Sequence, residues 1–418
     1  MVKGSENSKV KEPSDEMSIS SVELPYLDLA DPNFSVRSPS VRAARDRSWY
    51  ARTPYGLAVL RYQEVGELLR DPRLRQGSHK WPAHHQASGS FADWWLRMLL
   101  NRVGADHARL RRLVNPAFSP KLIPALQPRF ETIADELIDG FARRGRCEFV
   151  TEFSEPYAAR IVCNLLDLPD DDWRDLANTV GRMGLALGVN YHADKEIANE
   201  ATDRLFAYSR RLIEQRRRKP GKELLGLLLE ANEDKDALSD QELEDMVVLA
   251  IFGGIDTTRN QIGLAMSQFI EHADQWKLLA ASPELARSAV EEVMRTRPST
   301  TWVTREAMET FTYKGLEFRP GTTIHLFTES AGTDPNFFTP GFDITATRRQ
   351  HYGFGGGIHH CLGAFIARAD IAQALKQLAR RIREPAYDGS PAWLPDSGNT
   401  GPIALPIRFH PEPPDVRG

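Results

Sequence analysis

A chain of 418 residues, 41% of them hydrophobic, is long enough for a large core and for one to three domains. Its 53 basic and 57 acidic residues leave a formal charge of minus 4, which excludes a global field for nucleic acid. Three cysteines, Cys147, Cys163 and Cys361, exclude a disulfide framework and fit a reducing compartment.

The first twenty residues are polar and charged with no apolar signal core, and a disordered tail is expected there. Residues 21–418 are expected to form one domain, since no repeat or low-complexity linker marks a boundary. Apolar and β-branched residues from Tyr55 to Tyr62 follow a proline and predict a strand. Ser239-Asp240-Gln241-Glu242 is a capping box, and the apolar pattern behind it continues to about Ile270, roughly 45 Å of helix. The longest apolar run, Met246 to Ile255, is too short to span a bilayer, so a cytoplasmic protein without a membrane anchor is expected. Ser282-Pro283, cap then first-turn proline, predicts a second helix to about Thr296. From Phe311 to Phe327 a second strand patch carries a Lys314-Gly315 turn, and the two patches could share a sheet. A third helix is predicted from Cys361 through Ala379.

Four short segments carry chemistry. Glycines at 355, 356 and 357 let the backbone pass close to a flat ligand, and a helix beginning at Cys361 would aim its amides and dipole at the sulfur, favouring the thiolate. Read alone, such a cysteine is more often a buried structural thiol. Gly253-Gly254-Ile255-Asp256-Thr257-Thr258 places two glycines inside the long helix, where each costs roughly 1 kcal/mol relative to alanine. The bland reading is a packing notch; the functional one is a groove for a bulky ligand, with the Thr257 hydroxyl diverting a backbone carbonyl. Glu292 and Arg295 are three apart on one helix face, as in many surface pairs. In Asp106-His107-Ala108-Arg109-Leu110-Arg111-Arg112, His107 and Arg111 can reach one point such as a carboxylate.

The pattern F-G-x-G-x-H-x-C-x-G is filled at every fixed position by Phe354, Gly355, Gly357, His359, Cys361 and Gly363. This segment closely resembles the cysteine-ligand loop of the cytochrome P450 superfamily, and the other three motifs, in the family's order, extend the resemblance over most of the chain to the bacterial monooxygenases of class I type. The resemblance implies a mainly α fold with small β sheets, a triangular prism of helices around a buried haem b whose iron is held by the Cys361 thiolate. It implies that Thr257 and Asp256 deliver the protons that dioxygen activation requires. His107, Arg111, Arg305 and His359 are then expected at the haem propionates, with Gly253, Phe354, Gly355 and Gly363 also against the cofactor. The matching Glu292 and Arg295 are buried in the family and support the fold; Gly341 stands where an arginine often joins them, leaving Arg348 or Arg349 as substitutes. Around the substrate cavity the resemblance places the segments containing Trp81, Trp94, Leu187, Ile251, Gly254 and Trp302 and the turn from Gly398 to Ile403, which suits a bulky, largely apolar or aromatic small molecule of specialised metabolism. Hydroxylation, epoxidation, demethylation and oxidative coupling all lie within this chemistry.

Electrons are expected from NAD(P)H through a reductase and a ferredoxin or flavodoxin, docking where Arg109 and Arg112 face solvent, on a monomeric protein. A competing reading is a haem-thiolate ligand or redox sensor without turnover, against which Asp256 and Thr257 argue. A zinc site at His359, His360 and Cys361 is poorly spaced for a tetrahedral centre.

Overall fold

The structure, a computed structural model, describes residues 24–411 except 189, 220, 222, 234–237 and 397. The tail expected over the first twenty residues lies outside the described residues. The chain is mainly helical with small sheets, and no described helix is long and apolar enough to cross a membrane.

Five helices position the site: α1 (Gly104–Val114), α2 (Glu155–Leu165), α3 (Asp240–Glu271), α4 (Ala286–Thr296) and α5 (Ala364–Arg381). The capping box at the start of α3 is complete. Ser239 Oγ accepts from the Glu242 amide at 3.2 Å, and the Glu242 carboxylate accepts from the Ser239 amide at 2.8 Å. Thirty-two residues follow, about 48 Å of helix, most of them buried along the length of the molecule. The turn after Ser282-Pro283 is a 3-10 turn (Pro283–Leu285) that feeds directly into α4. One expectation changes: α5 begins at Ala364, not at Cys361, because Cys361 to Gly363 form a turn ahead of it.

Both strand patches meet in one sheet. It is built from β1 (Tyr50–Thr53), β2 (Gly56–Val59), β3 (Leu74–Gln76), β4 (Trp302–Ala307) and β5 (Thr323–Phe327), in the order β1-β2-β5-β4-β3. Only β2 and β5 run parallel, with Leu57 opposite Ile324 and Val59 opposite Leu326. The predicted strand from Tyr55 is shorter than expected, since Tyr62 opens the helix Tyr62–Leu68. Between β4 and β5, Phe311–Tyr313 and Leu316–Phe318 form a hairpin whose central residues, Lys314 and Gly315, have φ of +47° and +81°. That pair of left-handed residues matches the right-handed twist of two short strands.

Candidate functional site

The cysteine loop is shaped by two left-handed glycines, Gly355 (φ +69°) and Gly357 (φ +65°). A Cβ on Gly357 would lie 2.5 Å from the Leu69 carbonyl oxygen, so only glycine fits that approach. The Cys361 amide donates to the Phe354 carbonyl at 2.9 Å and closes the loop. Cys361 itself is accessible. Burial raises its thiol above the usual range; the Gly363 amide hydrogen bond and the charges of Arg111 and Arg368 oppose this. Because α5 starts three residues later, the amide that acts on the sulfur is that of Gly363, in the turn ahead of the helix.

Four basic groups converge beside this loop. The His107 and His359 rings sit 4.5 Å apart, one from α1 and one from the loop. Arg305, on β4, is buried; its guanidinium donates to the Gln76 side-chain oxygen and to the Thr304 carbonyl at 3.3 Å. Burial pushes Arg305 down to about 10. Burial, followed by the charges of Arg305, His107 and Arg111, pushes His359 down to about 3. None of the described carboxylates forms an ion pair with any of these four groups. A buried guanidinium without an acid is costly. One accessible soft donor, beside a cluster of basic groups without a counter-ion among the described residues, fits an iron porphyrin bearing two carboxylates.

On α3 the Thr257 hydroxyl donates to the Gly253 carbonyl at 2.5 Å, as its i−4 spacing predicts. A Cβ on Gly253 would meet only Leu249 Cδ1, at 3.9 Å, leaving that face open. Gly254 is different: its Cβ would lie 2.8 Å from Val162 Cγ2 of α2, so this glycine lets α2 and α3 pack closely. Asp256 is held by both oxygens. Oδ1 pairs with Arg259 Nη2 at 3.1 Å, and Oδ2 accepts from Asn399 Nδ2 at 3.1 Å. Arg259 in turn reaches Glu155 of α2 at 3.3 Å. Asn399 arrives from a loop 143 residues further on, within the Gly398 to Ile403 turn expected at the cavity, although nothing local paired it with Asp256.

Glu292 and Arg295 form a buried two-point ion pair at 2.6 and 2.7 Å. Arg348 completes it, 3.1 Å from Glu292 Oε1, whereas Arg349 lies over the Phe337 ring. Gly341 contributes its carbonyl, which accepts from Arg295 at 2.8 Å. Arg109 departs from the expectation of a solvent-facing cation: it is partly buried and bonds Asp106 and Glu242.

The expected substrate residues separate into two groups. Half-buried Trp81 gathers His85, Phe91, Trp95 and Tyr191 around it, with ring centroids 5.1 to 5.7 Å away. Leu187 is half-buried in the turn preceding Tyr191. Trp94 and Ile251 are wholly buried in the helical core, Trp94 edge-on to Phe252. Trp302 alternates with Arg305 along β4, so it faces away from the basic cluster and stacks on Phe327 at 5.2 Å. Trp94 and Trp302 are thus packed against neighbouring aromatic rings.

The cytochrome P450 family model matches residues 186–397. Luteothin monooxygenase of Streptomyces thioluteus is 38% identical over 93% of this chain and 96% of its own. Mycinamicin IV hydroxylase/epoxidase of Micromonospora griseorubida is 32% identical over 85% of this chain and 91% of its own. The crystal structure of CalO2 matches at a TM-score of 0.83 and 30% identity, covering 89% of this chain and 96% of that one. Similarity of this extent runs through Cys361 and α3 alike, and it places the chain in the cytochrome P450 family, as a P450 monooxygenase.

Proposed function

We propose that this monooxygenase carries haem b on Cys361 and oxidises a bulky, largely apolar or aromatic small molecule of specialised metabolism, using two electrons from a redox partner. Family membership implies a haem-thiolate cofactor. When bound, that group supplies the reduction of dioxygen to a strong oxidant. The observation that carries the reading is the cluster of His107, Arg111, Arg305 and His359, which lacks a carboxylate and lies against the Cys361 loop.

In this reading the four basic groups would hold the two haem carboxylates, and Cys361 Sγ would be the iron ligand. The Thr257 hydroxyl, exposed on α3, would hold at Oγ1 a proton that oxygen chemistry requires. Asp256 feeds that hydroxyl, and Arg259 with Asn399 holds its carboxylate in place. The aromatic cluster around Trp81 borders the substrate. Relatives named for luteothin and mycinamicin IV support a specialised metabolite, oxidised by hydroxylation, epoxidation, demethylation or coupling. A ferredoxin or flavodoxin with its NAD(P)H-dependent reductase supplies the electrons.

The test is spectral first. Reduced protein with carbon monoxide is expected to show a strongly red-shifted Soret band that Cys361→Ser abolishes; a band that persists in the variant refutes the ligand assignment. Protein reconstituted with a donor pair is then expected to consume NAD(P)H and oxygenate ligands found by displacement of iron-bound water. Binding without turnover under every donor pair favours the sensor reading.

A further inference from the structure

Behind the cysteine loop, three charged or polar side chains are locked together on the side of Phe354. Arg368 of α5 donates to Glu291 of α4 at two points, Nε to Oε1 at 2.6 Å and Nη2 to Oε2 at 3.3 Å. His351 Nε2 lies 3.1 Å from the same Oε2. The histidine is oriented by the Gly353 amide, which donates to Nδ1 at 3.0 Å and so leaves the proton on Nε2, pointing at the carboxylate. Burial alone would raise the Glu291 carboxyl, but hydrogen bonds from His351 and Arg368 overcome it and push it down to about 2. The anion is thereby fixed between two donors.

The consequence falls on Arg368. Clamped at Nε and Nη2, its guanidinium carbon stands 4.4 Å from the centre of the Phe354 ring, a cation–π contact. Phe354 is the residue whose carbonyl bonds the Cys361 amide. Arg368 is also one of two cations whose charge acts on the Cys361 sulfur, the other being Arg111 from the cluster side. Arg111 belongs to the groups that face a ligand's carboxylates; Arg368 has no such duty, and its partner Glu291 is not one of the four motifs. A clamp needed only for folding would not require a guanidinium over the ring that borders the sulfur.

We propose that Arg368, held by Glu291 and His351, is a positioning residue that sets how readily the thiolate-bound iron accepts its electron. Reduction adds a negative charge to the sulfur-ligated centre, so a fixed cation behind Phe354 favours the reduced form and the Glu291 carboxylate opposes it. Both partners are partly exposed, and solvent screens the effect.

The inference rests on Cys361 as the iron ligand, and the experiment separates the two. Reduction potentials are measured by optical titration on the haem-loaded protein and on Arg368→Gln, Arg368→Lys and Glu291→Gln. Arg368→Gln is expected to shift the one-electron equilibrium about threefold or more toward the oxidised form, with Arg368→Lys within about twofold of wild type. Glu291→Gln keeps an acceptor for Nε but loses the charge, and is expected to shift the equilibrium the opposite way. Unmoved potentials, or shifts of the same sign in both, overturn the proposal. Loss of the red-shifted carbon monoxide band in Arg368→Gln also overturns it, because a tuning residue leaves the ligand in place. Absence of that band from the wild type instead removes the assignment of Cys361.

Discussion

The Thr257 hydroxyl is satisfied within its own helix, by the carbonyl one turn back. Alanine at this position removes the exposed hydroxyl beside Asp256 while leaving the helix backbone intact. Thr257→Ala is expected to lower product formed per NAD(P)H consumed by about tenfold or more, with the carbon monoxide band unchanged. An unchanged yield per NAD(P)H would sink the role given to Thr257. This contact was legible in the sequence because it is local, four residues apart on one helix. Non-local partners were not legible. Asn399 reaches Asp256 only because the chain folds back, and the choice between Arg348 and Arg349 needed the position of Glu292 in space. The direction in which Trp94 and Trp302 pack, onto Phe252 and onto Phe327, likewise needed the fold.

Within α3, adjacent glycines have opposite surroundings. A Cβ on Gly253 would touch only Leu249 of its own helix, whereas one on Gly254 would press on Val162 of α2. Adding a methyl group at each is therefore expected to give opposite signs in the haem-free protein. There Gly253→Ala should stabilise the fold by about 0.5–1 kcal/mol through helix propensity. Gly254→Ala should destabilise it by about 1 kcal/mol or more, since the stiff valine cannot give way without moving α2. Denaturant unfolding of the two variants checks this, and equal effects would mean that the glycines share one role. Element starts fixed by side-chain caps were readable, as at Ser239. The start of α5 was not, because the turn from Cys361 to Gly363 continues the apolar pattern without helical backbone.

Across the whole molecule, the region around α4 joins distant parts through charge. Glu292 ties Arg295 to Arg348, while Glu291 ties His351 to Arg368 on α5. Because Glu291 is held near 2 against an ordinary value of 4.5, the stability it contributes is present above about 4.5 and is lost as pH falls toward 2. The difference in unfolding free energy between wild type and Glu291→Gln should therefore shrink as pH falls from about 5 to about 3. A difference that stays constant over that interval would mean that Glu291 is not held as an anion. The fold class was readable from helix periodicity and the two strand patches, but the parallel pairing of β2 with β5 joins residues some 270 positions apart and leaves no local trace.

The loop that carries Asn399 also bonds elsewhere: the Thr301 amide donates to Gly398, and the Thr400 amide donates to Ser299. Gly401 packs against Asn260, and Gly263 of α3 lies close to Pro402. In order of synthesis, this segment emerges after every motif in the site has already been made. A nascent chain therefore possesses Cys361, Thr257, the basic cluster and the Arg259 partner of Asp256 before Asn399 is made, so the second anchor of the acid is the last part of the site to take its place.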